Sequence, residues 1–354
     1  MKIEDSYRVL YVSAFSPDIN SPHGGGQSAY YNIKEIKETG AAVDIVICTT
    51  EHCTSVYENF IHQSFFSLIL GWLHNIFSRD FEGFLAWPFL NTRSNFKLHR
   101  LLNKKILTNN YDLIFIEFTQ AFLPAYYQLK KLNLNIPIHL CISDLFSQKL
   151  IRRNSIIANL FIGLILRYEK FIFSKCQKVI TLNEKDSNLI HYLFDFDNVQ
   201  IRKYYPPEWT RNVIRHHDSK NIIFFGNFKR FENFEALNWF LSGPFINIRK
   251  RIPDLKLYLV GDIDLSLIPH HAAGGVEFFG FVKDPSSLFS KSKLTIAPLK
   301  YGAGIKYKVL DSLSAQIPVL GTNVAFEGIC KSPLTFESDR DNFERVLLSL
   351  LKKP

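Results

Sequence analysis

Residues 203–226 read KYYPPEWTRNVIRHHDSKNIIFFG, and this stretch decides the architecture. Pro206 and Pro207 deny the chain a helix interior or a central strand, because each lacks a backbone N–H and fixes φ. Asn221–Gly226 (NIIFFG) then starts a fresh strand. Upstream, strand signals at Arg8–Ala14 (RVLYVSA), Val43–Cys48 (VDIVIC), Leu113–Ile116 with flanking Glu117, Ile138–Ile142 and Lys178–Leu182 alternate with helical stretches, the first over about Gln27–Glu38. Downstream, a helix near Asn233–Phe240 and strands at Leu255–Gly261 (LKLYLVG), Val276–Phe279 and Leu294–Pro298 restart the pattern. Such alternation predicts parallel sheets covered on both faces. The break therefore predicts two doubly wound, Rossmann-like α/β domains over 1–205 and 206–338, hinged near 203–220. A last helix, about Arg340–Leu351 within 339–354, is expected to pack back on the first domain.

The bulk numbers agree. The 354 residues suit two domains, and 47% hydrophobic with 21% charged residues is a foldable globular composition. Lys plus Arg less Asp plus Glu is 42 − 33 = +9, which favours anionic partners without naming one. The basic residues are dispersed and no recognition motif appears, so nucleic acid is not an expected partner. Five cysteines (Cys48, Cys53, Cys141, Cys176, Cys330) form no C-x2-C pair, and buried thiols in a reducing compartment are expected. Met1–Arg8 is polar and no apolar run reaches about 18 residues, so neither signal peptide nor spanning helix is expected. A cytoplasmic protein follows.

Two glycine-rich stretches bear on binding. His23–Ala29 (HGGGQSA) satisfies G-x-G-x-x-A at Gly24, Gly26 and Ala29. A dinucleotide fold needs those glycines directly after a strand and an acid ending the next one. Here nine residues separate Ala14 from Gly24, and Asp44 lies too early to grip a ribose. The nicotinamide reading is weak. What remains is either a flexible loop with His23 in it, or small residues at Gly24, Gly25 and Gly26 whose backbone N–H groups face an anion at a helix start.

The second stretch is YGAGIKYKVLDSLSAQIPVLGT, residues 301–322. Gly302, Ala303, Gly304 and Ile305 form a small-residue loop after a strand, ahead of a helix carrying Lys306, Lys308 and Asp311. Such a loop admits a diphosphate to the helix N-terminus, a lysine adds counter-charge, and Asp311 can accept from ribose hydroxyls. Gly280–Val282 is a turn after a strand, where backbone groups can meet a base edge.

The run GAGIKYKVLDSLSAQIPVLGT…EGI resembles the nucleotide-sugar site of retaining GT-B glycosyltransferases, in particular bacterial family-4 (group 1) enzymes. Phe224–Phe240 (FFGNFKRFENFEALNWF) is similar to that family's first C-domain strand, phosphate loop and helix, and the stretch from Arg167 (RYEKFIFSKCQKVITLNEKDSNLI) to the end of its N-terminal domain. The resemblance covers most of the chain and is poor over about 55–105. It implies a GT-B fold, two Rossmann-like domains facing a central cleft. It implies Asp311 on the ribose, Gly226, Asn227, Lys229 and Arg230 near the diphosphate, Phe281 and Val282 beside the base, and Gly24–Gly26 closing on the donor. The first glutamate of the family's E-x7-E motif falls near Ala303, so that motif is not intact and the GAGIK form stands in its place. No cofactor and no metal is expected, because basic side chains take the metal's role.

Asp144 and Glu117 end strands at the C-terminal edge of the first sheet, where open α/β sheets place their sites. Both are candidate catalytic carboxylates, with Lys229 and Lys308 as catalytic cations; the bland alternative for Asp144 is a helix N-cap. His216–His217 and His270–His271 are adjacent pairs whose side chains diverge, a poor metal set. The expected activity is transfer of a sugar from a nucleotide diphosphate sugar to a glycan or lipid-linked acceptor hydroxyl, with retention, in bacterial surface polysaccharide synthesis. A sugar-nucleotide epimerase and a non-catalytic sugar-nucleotide-binding subunit are the alternatives.

Aromatics crowd Phe60–Phe77 and Phe81–Phe89, and Ser155–Leu166 (SIIANLFIGLIL) is flanked by Arg152, Arg153 and Arg167. Buried helices explain both stretches. A lipid-facing patch rimmed by Arg79, Arg93, Lys97 and Arg100 explains them as well, and implies peripheral attachment to an anionic surface at the inner face of the plasma membrane.

Overall fold

A computed structural model of the chain describes residues 7–19, 21, 24–49, 59–64, 69, 93, 95–153, 156–216, 219–263 and 274–352. It divides into two units, residues 1–203 and 204–354, within two residues of the boundary read from the Pro-Pro break.

The first unit runs β1 (Arg8–Ser13), α1 (Gly24–Glu38), β2 (Ala42–Thr49), β3 (Phe60–His62), α2 (Phe96–Thr108), β4 (Leu113–Glu117), α3 (Phe122–Leu132), β5 (Ile138–Cys141), α4 (Phe146–Arg153), α5 (Ile156–Ser174), β6 (Lys178–Thr181), α6 (Glu184–Phe194) and β7 (Val199–Ile201). Its sheet order is β3-β2-β1-β4-β5-β6-β7, every pairing parallel. Successive strand residues face opposite sides. Leu10, Val12, Ile114 and Ile116 thus enter one core, and Val9, Tyr11, Leu113 and Phe115 the other. Near-continuous apolar strands are what a sheet buried on both faces demands. The order reverses between β1 and β4, which opens a crevice at their C-terminal ends.

The second unit repeats the scheme: β8 (Ile222–Phe225), α7 (Phe231–Ser242), α8 (Pro244–Arg251), β9 (Leu257–Val260), β10 (Val276–Gly280), α9 (Ser286–Ser290), β11 (Leu294–Ala297), α10 (Tyr307–Ser314), β12 (Val319–Gly321), β13 (Thr335–Glu337) and α11 (Arg340–Lys352). Its order is β10-β9-β8-β11-β12-β13, again all parallel, with the reversal between β8 and β11. The two halves of the predicted doubly wound architecture are both present.

Three expectations need correction. The last helix, expected on the first domain, belongs to the core of the second unit. Phe343, Leu347, Leu350 and Leu351 of α11 are buried in the core of the second unit, with Phe343 5.7 Å from Trp239. Arg340 adds a bidentate pair to Glu235 at 2.7 and 2.6 Å and lies over the Trp239 ring. Second, of the two readings of Gly24–Gly26 the flexible loop falls and the helix start stands: the three glycines open the first turn of α1. A Cβ at Gly25 would come within 2.8 Å of the Phe15 ring, and one at Gly26 within 2.8 Å of the Ser16 carbonyl oxygen. The glycines therefore let Phe15, Ser16 and Ser21 lie on the helix start. Third, Phe60–His62 of the aromatic stretch is a strand paired with β2. Most of 60–90, with its aromatics and Arg79, lies outside the described residues, as do Cys53, His23, His217, His270 and His271. Arg93 is buried, so it is not part of an exposed cationic rim.

Candidate functional site

The β8–β11 reversal of the second unit gathers most of the residues singled out. β8 ends at Phe225 and turns at Gly226, and β9 ends at Val260, which puts Gly261 beside that turn. A Cβ at Gly261 would fall 1.9 Å from the Gly226 carbonyl oxygen, so the two strand ends meet only because that side chain is missing. The turn is internally satisfied: Lys229 N–H donates to Asn227 Oδ1 at 2.9 Å, and Asn233 Nδ2 to the Asn227 carbonyl at 2.7 Å. Its backbone has little left to offer a ligand. Its side chains differ from one another, and sequence alone could not rank them. Lys229 is exposed and paired with Asp262 at 2.6 Å. Arg230 lies close enough to Lys308 to disfavour its charge.

Lys308 reaches this turn from α10. Its Nζ donates to Asn233 Oδ1 at 2.5 Å, sits 4.9 Å from the Phe224 ring centroid, and lies 3.4 Å from a Cβ built on Gly226. Burial, then the Arg230 and Lys306 charges, lower its pKa to about 7. Glu232 acts the other way, and an anion at the turn would likewise favour the charged ammonium.

The glycine loop supplies backbone donors. Lys306 turns inward: its Nζ donates to the carbonyls of Ala303 at 3.3 Å and Gly304 at 2.5 Å, and pairs with Glu327 Oε2 at 3.7 Å. In a trans peptide the N–H points opposite to the carbonyl. The N–H groups of Gly304 and Ile305 therefore point away from the ammonium, and neither has a partner among the described residues. Two open donors sit at the entrance to α10. Lys306, expected on the donor, is engaged with its own loop.

Asp311 is buried on the same helix and accepts a 2.5 Å hydrogen bond from the Tyr204 hydroxyl. Burial raises it to about 7, against the pull of that hydrogen bond. Phe281 is exposed after β10, whereas Val282 packs on the cluster around Phe289 and Ile317.

In the first unit the two carboxylates part company. Glu117 is wholly buried. It accepts from the Tyr11 hydroxyl at 2.6 Å, the Ser28 hydroxyl at 2.7 Å and the Asn32 amide. Burial pushes its pKa up while Arg202 and these donors pull it down. Arg202 in turn donates to the Ser28 carbonyl and hydroxyl. This is an internal strut between β1, β4, α1 and the end of β7.

Asp144 is partly exposed and paired with Lys149 at 3.8 Å. It does not cap α4: Glu169 does, accepting from the N–H groups of Phe146 at 2.7 Å and Ser147 at 3.3 Å. Burial puts Glu169 at about 7. Glu169, Arg202, Tyr204, Asn233 and Glu327 were not found by sequence reasoning. Glu327 lay inside the quoted EGI, Asn233 inside Phe224–Phe240 and Glu169 inside the stretch from Arg167, but no motif pointed to Arg202 or Tyr204. Cys48, Cys141 and Cys176 are buried, and burial pushes Cys48 up to about 11. Among the described residues no three His, Cys, Asp or Glu side chains converge, and no helix is long and apolar enough to cross a membrane.

Residues 219–353 match the family model described as Glycosyl transferases group 1. Over 349 residues the chain is 22% identical to an uncharacterized 44.6 kDa protein in the cps region of Klebsiella pneumoniae, covering 91% of this chain and 84% of that protein. Its fold is similar to sucrose-phosphate synthase from Thermosynechococcus elongatus (TM-score 0.65, 14% identity, 96% and 88% of the two chains). WaaG, a glycosyltransferase involved in lipopolysaccharide biosynthesis, gives TM-score 0.63 at 14% identity over 98% and 90%. HepE of Anabaena, solved in complex with UDP and glucose, gives 0.62 at 11% over 98% and 90%.

Proposed function

We propose that this chain, a glycosyltransferase of the GT-B fold whose residues 219–353 are a group 1 glycosyltransferase domain, moves a sugar from a nucleoside diphosphate sugar to a hydroxyl of a glycan or lipid-linked acceptor, with retention, in surface polysaccharide synthesis. One observation carries the donor class: the Lys308 ammonium held against the Gly226 turn by Asn233, on the helix that follows the 302–305 glycine loop. Negative charge builds on the departing diphosphate as the glycosidic bond breaks, so preorganised donors and cations at that spot stabilise the transition state more than the ground state. Lys308 and Arg230 supply that charge without a divalent ion. Asp311 takes the ribose hydroxyls in exchange for Tyr204, and Phe281 borders the base. Asp144 stands at the acceptor side, whereas Glu117 has no free face for substrate. The relative in a cps region supports a polysaccharide role, and the UDP held by HepE makes UDP-sugars the first donors to try.

The direct test is calorimetry against UDP-, GDP- and ADP-sugars, followed by turnover with the binding donor in EDTA. Binding of none of them removes the reading. Asp311→Ala should weaken the donor by about 1–3 kcal/mol, the value of a buried charged hydrogen bond. Unchanged affinity takes Asp311 off the ribose.

Attachment to a membrane surface belongs to the same reading. Ile151, Leu160 and Phe161 are exposed on α4 and α5, and Arg167 and Lys170 are exposed further along α5. The protein is expected to sediment with phosphatidylglycerol vesicles at low salt and less at high salt, because screening removes the ionic part. Protein that stays in the supernatant at both salts ends this part of the proposal.

A further inference from the structure

We propose that Glu327 is a positioning residue of the donor site: through Lys306 it fixes the peptide planes of the 302–305 loop. The inference rests on the donor-site reading above and goes one step deeper into it.

Glu327 comes from the segment after β12, outside the glycine loop and α10. Its carboxylate is 6% exposed and the Lys306 side chain 11%, with 3.7 Å between Oε2 and Nζ. The same Nζ clasps the carbonyls of Ala303 and Gly304. One ammonium thus joins a carboxylate to two consecutive peptide units, and those units carry the open N–H groups of Gly304 and Ile305. Deleting the carboxylate takes away the counter-charge that Glu327 gives the largely buried Lys306, which favours a swing of the long side chain to water. The carbonyls are then released, and the peptide planes that aim the N–H groups are no longer fixed. Glu327 also ties Lys306 to the loop, so the ammonium that reaches the Gly226 turn is that of Lys308. A loop held before binding loses less entropy on binding, which is how a residue outside contact range sets affinity.

The test compares Glu327→Ala, Glu327→Gln, Lys306→Met, the Glu327→Ala/Lys306→Met double variant and Lys308→Met in the full chain. The probes are whichever of UDP, GDP and ADP binds the wild type most tightly, and its own nucleoside. Glu327→Ala is expected to lower nucleoside diphosphate affinity by about ten- to a hundredfold, the cost of misplacing a binding group, and to leave nucleoside affinity unchanged. The isosteric Glu327→Gln keeps an oxygen for Lys306 and should lose less. The double variant should be no worse than Lys306→Met alone, because both act through one contact. Hydrogen exchange over 299–306 should rise in Glu327→Ala while 222–225 and 294–297 stay protected. The proposal is overturned if Glu327→Gln and Glu327→Ala both bind as wild type, or if nucleoside and diphosphate lose affinity alike. A gain in diphosphate affinity also overturns it, since Glu327 would then be restraining a phosphate ligand. If Lys306→Met and Lys308→Met both leave binding unchanged, the donor-site reading itself falls; if Lys306→Met loses affinity and Glu327→Ala does not, only this inference does.

Discussion

Replacing Lys308 by Met is expected to lower kcat by about 10²–10³-fold while raising the donor KM by less than tenfold, the range for removing one preorganised donor from a developing anion. The geometry gives the reason. Lys308 Nζ is fixed by Asn233 and by the Phe224 face against the Gly226 turn, so its charge is in place before the bond breaks. Lys229→Ala should change kcat little, because that side chain is exposed and already paired with Asp262. A pure KM effect in Lys308→Met would make it a ground-state binder. Full activity would remove it from the site.

The same lysine gives donor binding a pH dependence. At a pKa of about 7 it is partly neutral in the free protein, and Arg230, Lys306 and Glu232 are the charges that act on it. A bound diphosphate favours the ammonium and raises that pKa, so binding takes up a proton. The sign follows: Lys308's contribution is fully present below pH 7 and is lost as pH rises toward the pKa in the complex. Asp311, also near 7, contributes oppositely, since ribose hydroxyls favour its ionised form. The difference in proton uptake between wild type and Lys308→Met, measured in buffers of different ionisation enthalpy, isolates the lysine.

Much of this was legible in the sequence because it is local. Apolar runs such as RVLYVSA and NIIFFG are continuous where a strand is buried on both faces, and the Pro-Pro pair stops both periodicities. The two-domain fold and the loop 302–305 follow from such signals. What was not legible depends on partners far along the chain. Glu169 caps a helix 23 residues earlier, Arg202 meets Ser28 across 174 residues, and Tyr204 meets Asp311 across 107. The three-residue strands β3, β7, β12 and β13 are too short to carry an alternation. Lys306 and Lys308 looked alike as cations beside a glycine loop; only tertiary structure shows one turned onto its own carbonyls and the other toward the Gly226 turn.

Glu117 separates a catalytic carboxylate from a structural one by experiment. Glu117→Ala removes the acceptor of three side-chain donors and a carboxylate whose charge acts with that of the buried Arg202. Leaving buried donors without their acceptor costs about 1–3 kcal/mol each. For a unit of this size that lowers the melting transition by on the order of 10 °C. Glu117→Gln keeps the shape and one oxygen, and the Tyr11 and Ser28 hydroxyls can rotate to accept from its amide, so a smaller loss is expected. Turnover measured well below the new melting point should then be near wild type in Glu117→Gln. A catalytic Glu117 would give the reverse pattern, wild-type melting with turnover abolished. That result would move the carboxylate from the strut to the reaction and reopen the assignment between Glu117 and Asp144.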